Sequence, residues 1–70
     1  MTALPPIGSL WQHRTTGERR FMRGVFLNDD EVWARFMQIY DGRDSRFDIA
    51  ISEDWLAWQA DADRIDKEQP

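Results

Sequence analysis

Residues 32–40, Val-Trp-Ala-Arg-Phe-Met-Gln-Ile-Tyr, read as a β-strand with large apolar side chains on both of its faces. Side chains alternate along a strand, so Val32, Phe36 and Tyr40 point one way and Trp33, Met37 and Ile39 the other. A chain of 70 residues owns one small core, which covers one such face easily and the second with difficulty. The surplus must go under a helix, around a closed barrel, or onto another molecule.

The length fits one domain. With no cysteine, neither a disulfide nor a thiolate zinc site can staple the fold. The load falls on four tryptophans, four phenylalanines and one tyrosine, each large side chain contributing roughly 1.5–3 kcal/mol once buried. No apolar run reaches the ~18 residues of a membrane span, and Met1–Pro6 lacks the basic and apolar segments of a signal peptide. A soluble, cytoplasmic protein is expected. The net charge of −4 is unevenly placed: residues 11–27 hold Arg14, Arg19, Arg20 and Arg23 against the single acid Glu18, whereas residues 52–70 are acidic. Such a split means internal complementarity or two binding faces.

Residues 1–6 are expected to be a lead-in, because Pro5-Pro6 cannot donate ladder hydrogen bonds. Strands are predicted over 7–14, 19–27, 31–40 and 46–51. Thr15–Glu18 forms a hairpin loop around Gly17, Asn28-Asp29-Asp30 a turn, and residues 41–45 another. In the second strand Phe21, Val25 and Leu27 share a face opposite Met22 and Phe26. In the fourth, Phe47, Ile49 and Ile51 are expected inward and Asp48 outward. Ser52 is the expected N-cap of a helix whose stripe is Trp55, Trp58, Ala62 and Ile65, with Glu53 and Asp54 favourable in its first turn. Residues 67–70 should fray. One β-β-β-β-α domain over 7–66 follows. It is mainly β (α+β): a four- to five-stranded antiparallel meander forming an SH3-like partial barrel, with one C-terminal helix over its open side. A flat four-stranded sheet with a helix across it is the alternative.

Little in the chain carries catalytic chemistry. His13, the lone histidine, has no nucleophile motif or orienting carboxylate beside it, and a structural or surface role is expected. Asp61, Asp63 and Asp66 do not fit a calcium loop. Asp29-Asp30-Glu31 is explained by turn propensity. No catalytic residue, metal site or cofactor is therefore expected. Arg14, Arg19, Arg20 and Arg23, set among Trp11 and Phe21, have the composition of a nucleic-acid surface, or pack as cations over aromatics. Trp55 and Trp58 are expected to lid the core.

Pro5-x-x-Gly8-x-x-Trp11-x-His13-Arg14-x-Thr16-Gly17 resembles the opening of small SH3-like β-barrel accessory proteins encoded by phages and prophages. The order of elements is similar over most of the chain, the residues at seven positions. The resemblance implies an accessory protein that binds host or phage machinery. The acidic end and Trp55-Leu56-x-Trp58 depart from that pattern, so no functional residue is carried over.

The expected function is a non-enzymatic protein-binding module that docks an apolar sheet face on a partner, or on itself as a homodimer. The expected anchors are Trp33, Met37 and Ile39, with Met22 or Phe26 from the neighbouring strand and orienting charge from Arg20, Arg23 and Arg35. Two alternatives use other residues. One is an acidic inhibitor that imitates nucleic acid through Asp54, Asp61, Asp63, Asp66 and Glu68. The other is nucleic-acid binding through the Arg14–Arg23 hairpin.

Overall fold

The structure is a computed structural model and describes residues 4–40 and 44–66. Of the turn expected at 41–45, residues 41–43 lie outside the described residues, as does the tail at 67–70, while residues 44 and 45 belong to the fourth strand. Five strands are formed: β1 (Leu10–His13), β2 (Arg19–Asn28), β3 (Glu31–Tyr40), β4 (Asp44–Ile51) and β5 (Ala62–Arg64). One helix, α1 (Ser52–Gln59), joins β4 to β5. All pairings are antiparallel, in the order β4-β3-β2-β1-β5. β1 to β4 form the expected meander, but β5 crosses back through α1 to the outer edge of β1, and the sheet is open and is not closed into a barrel.

One turn sets the register of the two longest strands, and a second leads the chain into β1. Asn28 and Glu31 pair across a two-residue loop whose Asp29 and Asp30 both have positive φ, 52° and 63°. That is the type I′ geometry whose twist matches a hairpin. At the start of the described chain Ser9 donates from its backbone to the Pro6 carbonyl, with Gly8 at φ 96° in the position that needs a left-handed residue. Gly8 and Met22 then extend the ladder beside β1, Gly8 donating to the Met22 carbonyl and Met22 to the Ser9 carbonyl.

Between Met22 and Gly24 the β2–β3 register shifts by one residue. This bulge overturns the expected faces of β2, because an extra residue reverses the alternation beyond it. Phe21 pairs with Met37 and Phe26 with Trp33 on one face, while Met22 pairs with Phe36, Val25 with Ala34 and Leu27 with Val32 on the other.

The helix is shorter than its apolar spacing suggested. It begins at Ser52 with extended Ile51 as N-cap and no side-chain cap bond, and it ends at Gln59. The expected capping by Ser52 is therefore displaced by one residue. Ala62 lies in β5 and Ile65 just beyond it, not on a helical stripe. Aspartate is a poor helix former, and β1 offers a free edge. Arg14 donates to the Asp61 carbonyl and Ile65 to the Leu10 carbonyl, so the chain after residue 60 satisfies its backbone as a strand instead.

α1 carries the chain from the β4 edge across one face of the sheet to the β1 edge. Under it lies the core of Met22, Ala34, Phe36 and Trp55, with Leu4, Trp11, Ala50, Leu56 and Trp58 packed around it. Trp55 is fully buried and its ring tilts against Phe36 at 5.2 Å and Trp58 at 5.3 Å. An eight-residue helix spans about 12 Å, whereas ten-residue strands run about 33 Å. The far end of the β2–β3 hairpin therefore projects past it, leaving Val25, Leu27 and Val32 exposed on the helix side.

Candidate docking face

The pairings sort the side chains of the sheet onto two faces. Opposite α1 lie Phe21 and Phe26 from β2, Trp33, Arg35, Met37 and Ile39 from β3, and Phe47, Ile49 and Ile51 from β4. No described element packs across this face. Phe47 is 58% exposed, Ile49 48% and Phe26 36%, and Phe21, Trp33, Met37, Ile39 and Ile51 are half-buried by their neighbours alone. The expectation that Phe47, Ile49 and Ile51 point inward is thus overturned. They belong to the uncovered face, and α1 packs on the other side of β4. Phe26 and Trp33 stack at 6.3 Å with their rings 15° apart. The Trp33 indole N–H is buried and finds no acceptor among the described residues.

Three arginines sit among these apolar groups. Arg19 is opposite Ile39, Arg35 opposite Ile49, and Arg23, the extra residue of the bulge, holds its guanidinium 5.8 Å from Phe21 and 5.7 Å from Phe47. Arg23, Arg35 and Phe47 line a shallow open cleft of about 360 Å³. The bulge therefore adds a cation to the apolar face as well as resetting its register.

Of the anchors expected from sequence, Trp33, Arg35, Met37, Ile39, Phe26 and Arg23 share this one face. Met22 and Arg20 do not. Met22 is fully buried beneath α1, placed there by its pairing with Phe36. The Arg20 guanidinium lies 4.3 Å from the Trp58 ring centre, 4.5 Å from Phe36 and 5.7 Å from Trp55, an aromatic box closed by the helix. Its Nε donates to Glu18 at 2.8 Å, in a pair whose side chains are only 16% and 15% exposed. Glu18 also accepts from the Trp58 indole at 3.0 Å and from the Gln38 amide. Burial raises the carboxyl pKa, but the bonds from Arg20, Gln38 and Trp58 outweigh it and hold the group below its usual range. Both residues are structural.

The other candidate sets are dispersed. Arg14 pairs with Asp63 at 3.3 Å and donates to the Ala60 carbonyl, so Arg14, Arg19, Arg20 and Arg23 form no single basic surface. Asp66 accepts from Arg64 at 2.7 and 3.0 Å and from the Leu10 amide at 3.0 Å, which holds its carboxyl well below the ordinary carboxylate range. Asp54 lies in the first turn of α1, and Asp61 precedes β5. Glu68 is outside the described residues. Two of the four described acids of the nucleic-acid-mimic set are thus tied to arginines. The His13 ring accepts the Thr15 and Thr16 amides of the hairpin and tilts against Trp58 at 5.6 Å, a turn-capping role.

Comparison with known protein families, with characterised proteins and with solved structures finds no match to this chain. Sequence reasoning missed Arg19, Phe21, Phe47, Ile49 and Ile51 as members of the candidate face. Their signal was present in the strict alternation of Arg46–Ile51 and in the position of Arg19 one pair before Phe21, but alternation does not say which side the helix takes.

Proposed function

We propose that this protein is a small non-enzymatic binding module that docks the sheet face opposite α1 onto a protein partner. The observation that carries the reading is the uncovered face itself, with Phe26, Phe47 and Ile49 exposed around half-buried Trp33 and Met37. Contiguous apolar patches of this kind mark interaction sites, and aromatic and arginine side chains supply most of the energy at interfaces. Arg19, Arg23 and Arg35 make the face cationic in a chain of net charge −4, so its occupant is a protein surface with apolar anchors and acidic neighbours. A homodimer through this same face is disfavoured: a two-fold contact is self-facing and would bring both sets of arginines together. The resemblance to phage and prophage SH3-like accessory proteins is in keeping with a docking role, and we place that origin within the proposal.

Nucleic acid is the competing occupant, since arginines beside exposed rings also bind single strands. The aliphatic share of the face, Met37, Ile39, Ile49 and Ile51, favours protein side chains over stacked bases. The test uses wild type, Ile49→Lys and Arg23→Glu as baits in extract of cells that carry the gene. One protein retained by wild type and lost with both variants, while all three melt alike, is expected. Equal retention by both variants overturns the reading. So does a low-salt shift of labelled single-stranded RNA that Arg23→Glu abolishes, which transfers the face to nucleic acid.

A further inference from the structure

The two edges of the sheet are unequal. On one side β5 has only three residues, and Arg14–Asp63 and Arg64–Asp66 pairs decorate it. Short, charged edges resist pairing with other chains. On the other side β4 has eight residues and no strand pairs with its outer edge among the described residues. The Ile49 amide is bonded to its own neighbour's carboxylate, Asp48 Oδ1, at 2.8 Å, so it points away from β3. Backbone groups alternate along a strand, and those of Ser45 and Phe47 therefore point outward with it.

We infer that the β4 edge pairs antiparallel with β4 of a second copy, in a register centred on Phe47. The segment Arg46-Phe47-Asp48 is its own complement when read antiparallel. Phe47 meets Phe47, Arg46 of each copy stands opposite Asp48 of the other, and Ser45 stands opposite Ile49. This register makes Ser45, Phe47 and Ile49 the hydrogen-bonded positions, matching the outward amides. Arg46 and Asp48 are both exposed and lie on the same face of β4, so the two ion pairs form without moving a core side chain. Pairing requires Asp48 to release the Ile49 amide, which then donates to Ser45 across the two-fold axis, while the freed carboxylate takes Arg46. Directly opposed residues lie on one face of an antiparallel pair, so the two docking faces join into one ten-stranded platform. The inference stands on the edge and does not rest on the docking of the face.

Sedimentation equilibrium at high micromolar protein tests it with four proteins and one mixture. Wild type is expected to be a dimer. Arg46→Asp sets acid against acid, and Asp48→Arg sets base against base, so each is expected to weaken association about tenfold or more. Melting curves check that both substitutions, at exposed positions, leave the fold intact. The double exchange Arg46→Asp/Asp48→Arg restores the dimer, and an equimolar mixture of the two single variants forms a heterodimer. A monomeric wild type, single variants that dimerise as wild type does, or a mixture that stays monomeric overturns the pairing. None of these results depends on Arg23 or on any foreign partner, so failure here is distinguishable from failure of the docking face.

Discussion

Glu18 is the one acid among four arginines in residues 11–27, and the fold uses it to neutralise Arg20, whose side chain is largely withdrawn from water. Arg20 sits between Trp58 and Phe36, where cation–π attraction is strengthened by partial removal of water. Its charge is tolerable there because Glu18 is equally withdrawn and takes three side-chain donors. Replacing Glu18 by Gln puts an amide against the Arg20 Nε–H and leaves the guanidinium in its box without a counter-charge. The expected loss is about 1–3 kcal/mol, read as a lower midpoint in urea. Because the loss arises from a stranded charge, Arg20→Met should cost less in the Glu18→Gln background than in wild type. Equal cost in both backgrounds would mean that the two residues do not act as a pair.

Among the elements, the β2–β3 hairpin was the most legible, and it carries a residual strain. Type I′ turns need positive φ at both central positions and favour Asn-Gly or Asp-Gly, yet Asp30 stands at φ 63°. Asp30→Gly removes that strain without touching the core and is expected to stabilise the protein by about 0.5–1 kcal/mol. A lowered urea midpoint would show that the carboxylate makes a contact worth more than the strain. The four long elements follow from alternation and turn chemistry, but three features do not. An extra residue at Arg23-Gly24 has no mark in a pattern of apolar and polar types, yet it exchanges the faces of Val25 and Phe26. The end of α1 carries no glycine or proline, and Ala62 and Ile65 fit a helical stripe as well as they fit alternation. There the free edge of β1 decides, and a single segment holds no information about a strand fifty residues away. The side taken by the helix also stays open while β3 is apolar on both faces. Trp33 and Met37 could be set apart as surplus from the sequence, but Met22 could not be recognised as core until the bulge was counted.

At the scale of the whole molecule, β1 is the seam that ties the two ends of the described chain together. On one side Gly8 and Ser9 are bonded to Met22, and on the other Ile65 donates to Leu10. Asp66 completes the seam by accepting the Leu10 amide and both arms of Arg64. Its carboxyl is held far below the ordinary carboxylate range, chiefly by Arg64 and then by Leu10, and that of Glu18 is also lowered. The sign of the pH dependence follows from the unfolded chain, in which both groups take up protons near their ordinary values, roughly pH 4. Between there and their folded-state values the unfolded state binds more protons, so stability falls as pH falls. The contribution is complete above that ordinary range and is lost through the acid side, with no change expected from these two groups between pH 6 and 8. Urea midpoints measured from pH 7 down to pH 2 should therefore stay level at first and then decline. Asp66→Asn starts lower at pH 7, because an amide takes Arg64 poorly, and should decline less steeply below pH 4. Slopes identical to wild type would show that Asp66 does not hold β5 against β1, and that other carboxylates carry the acid sensitivity.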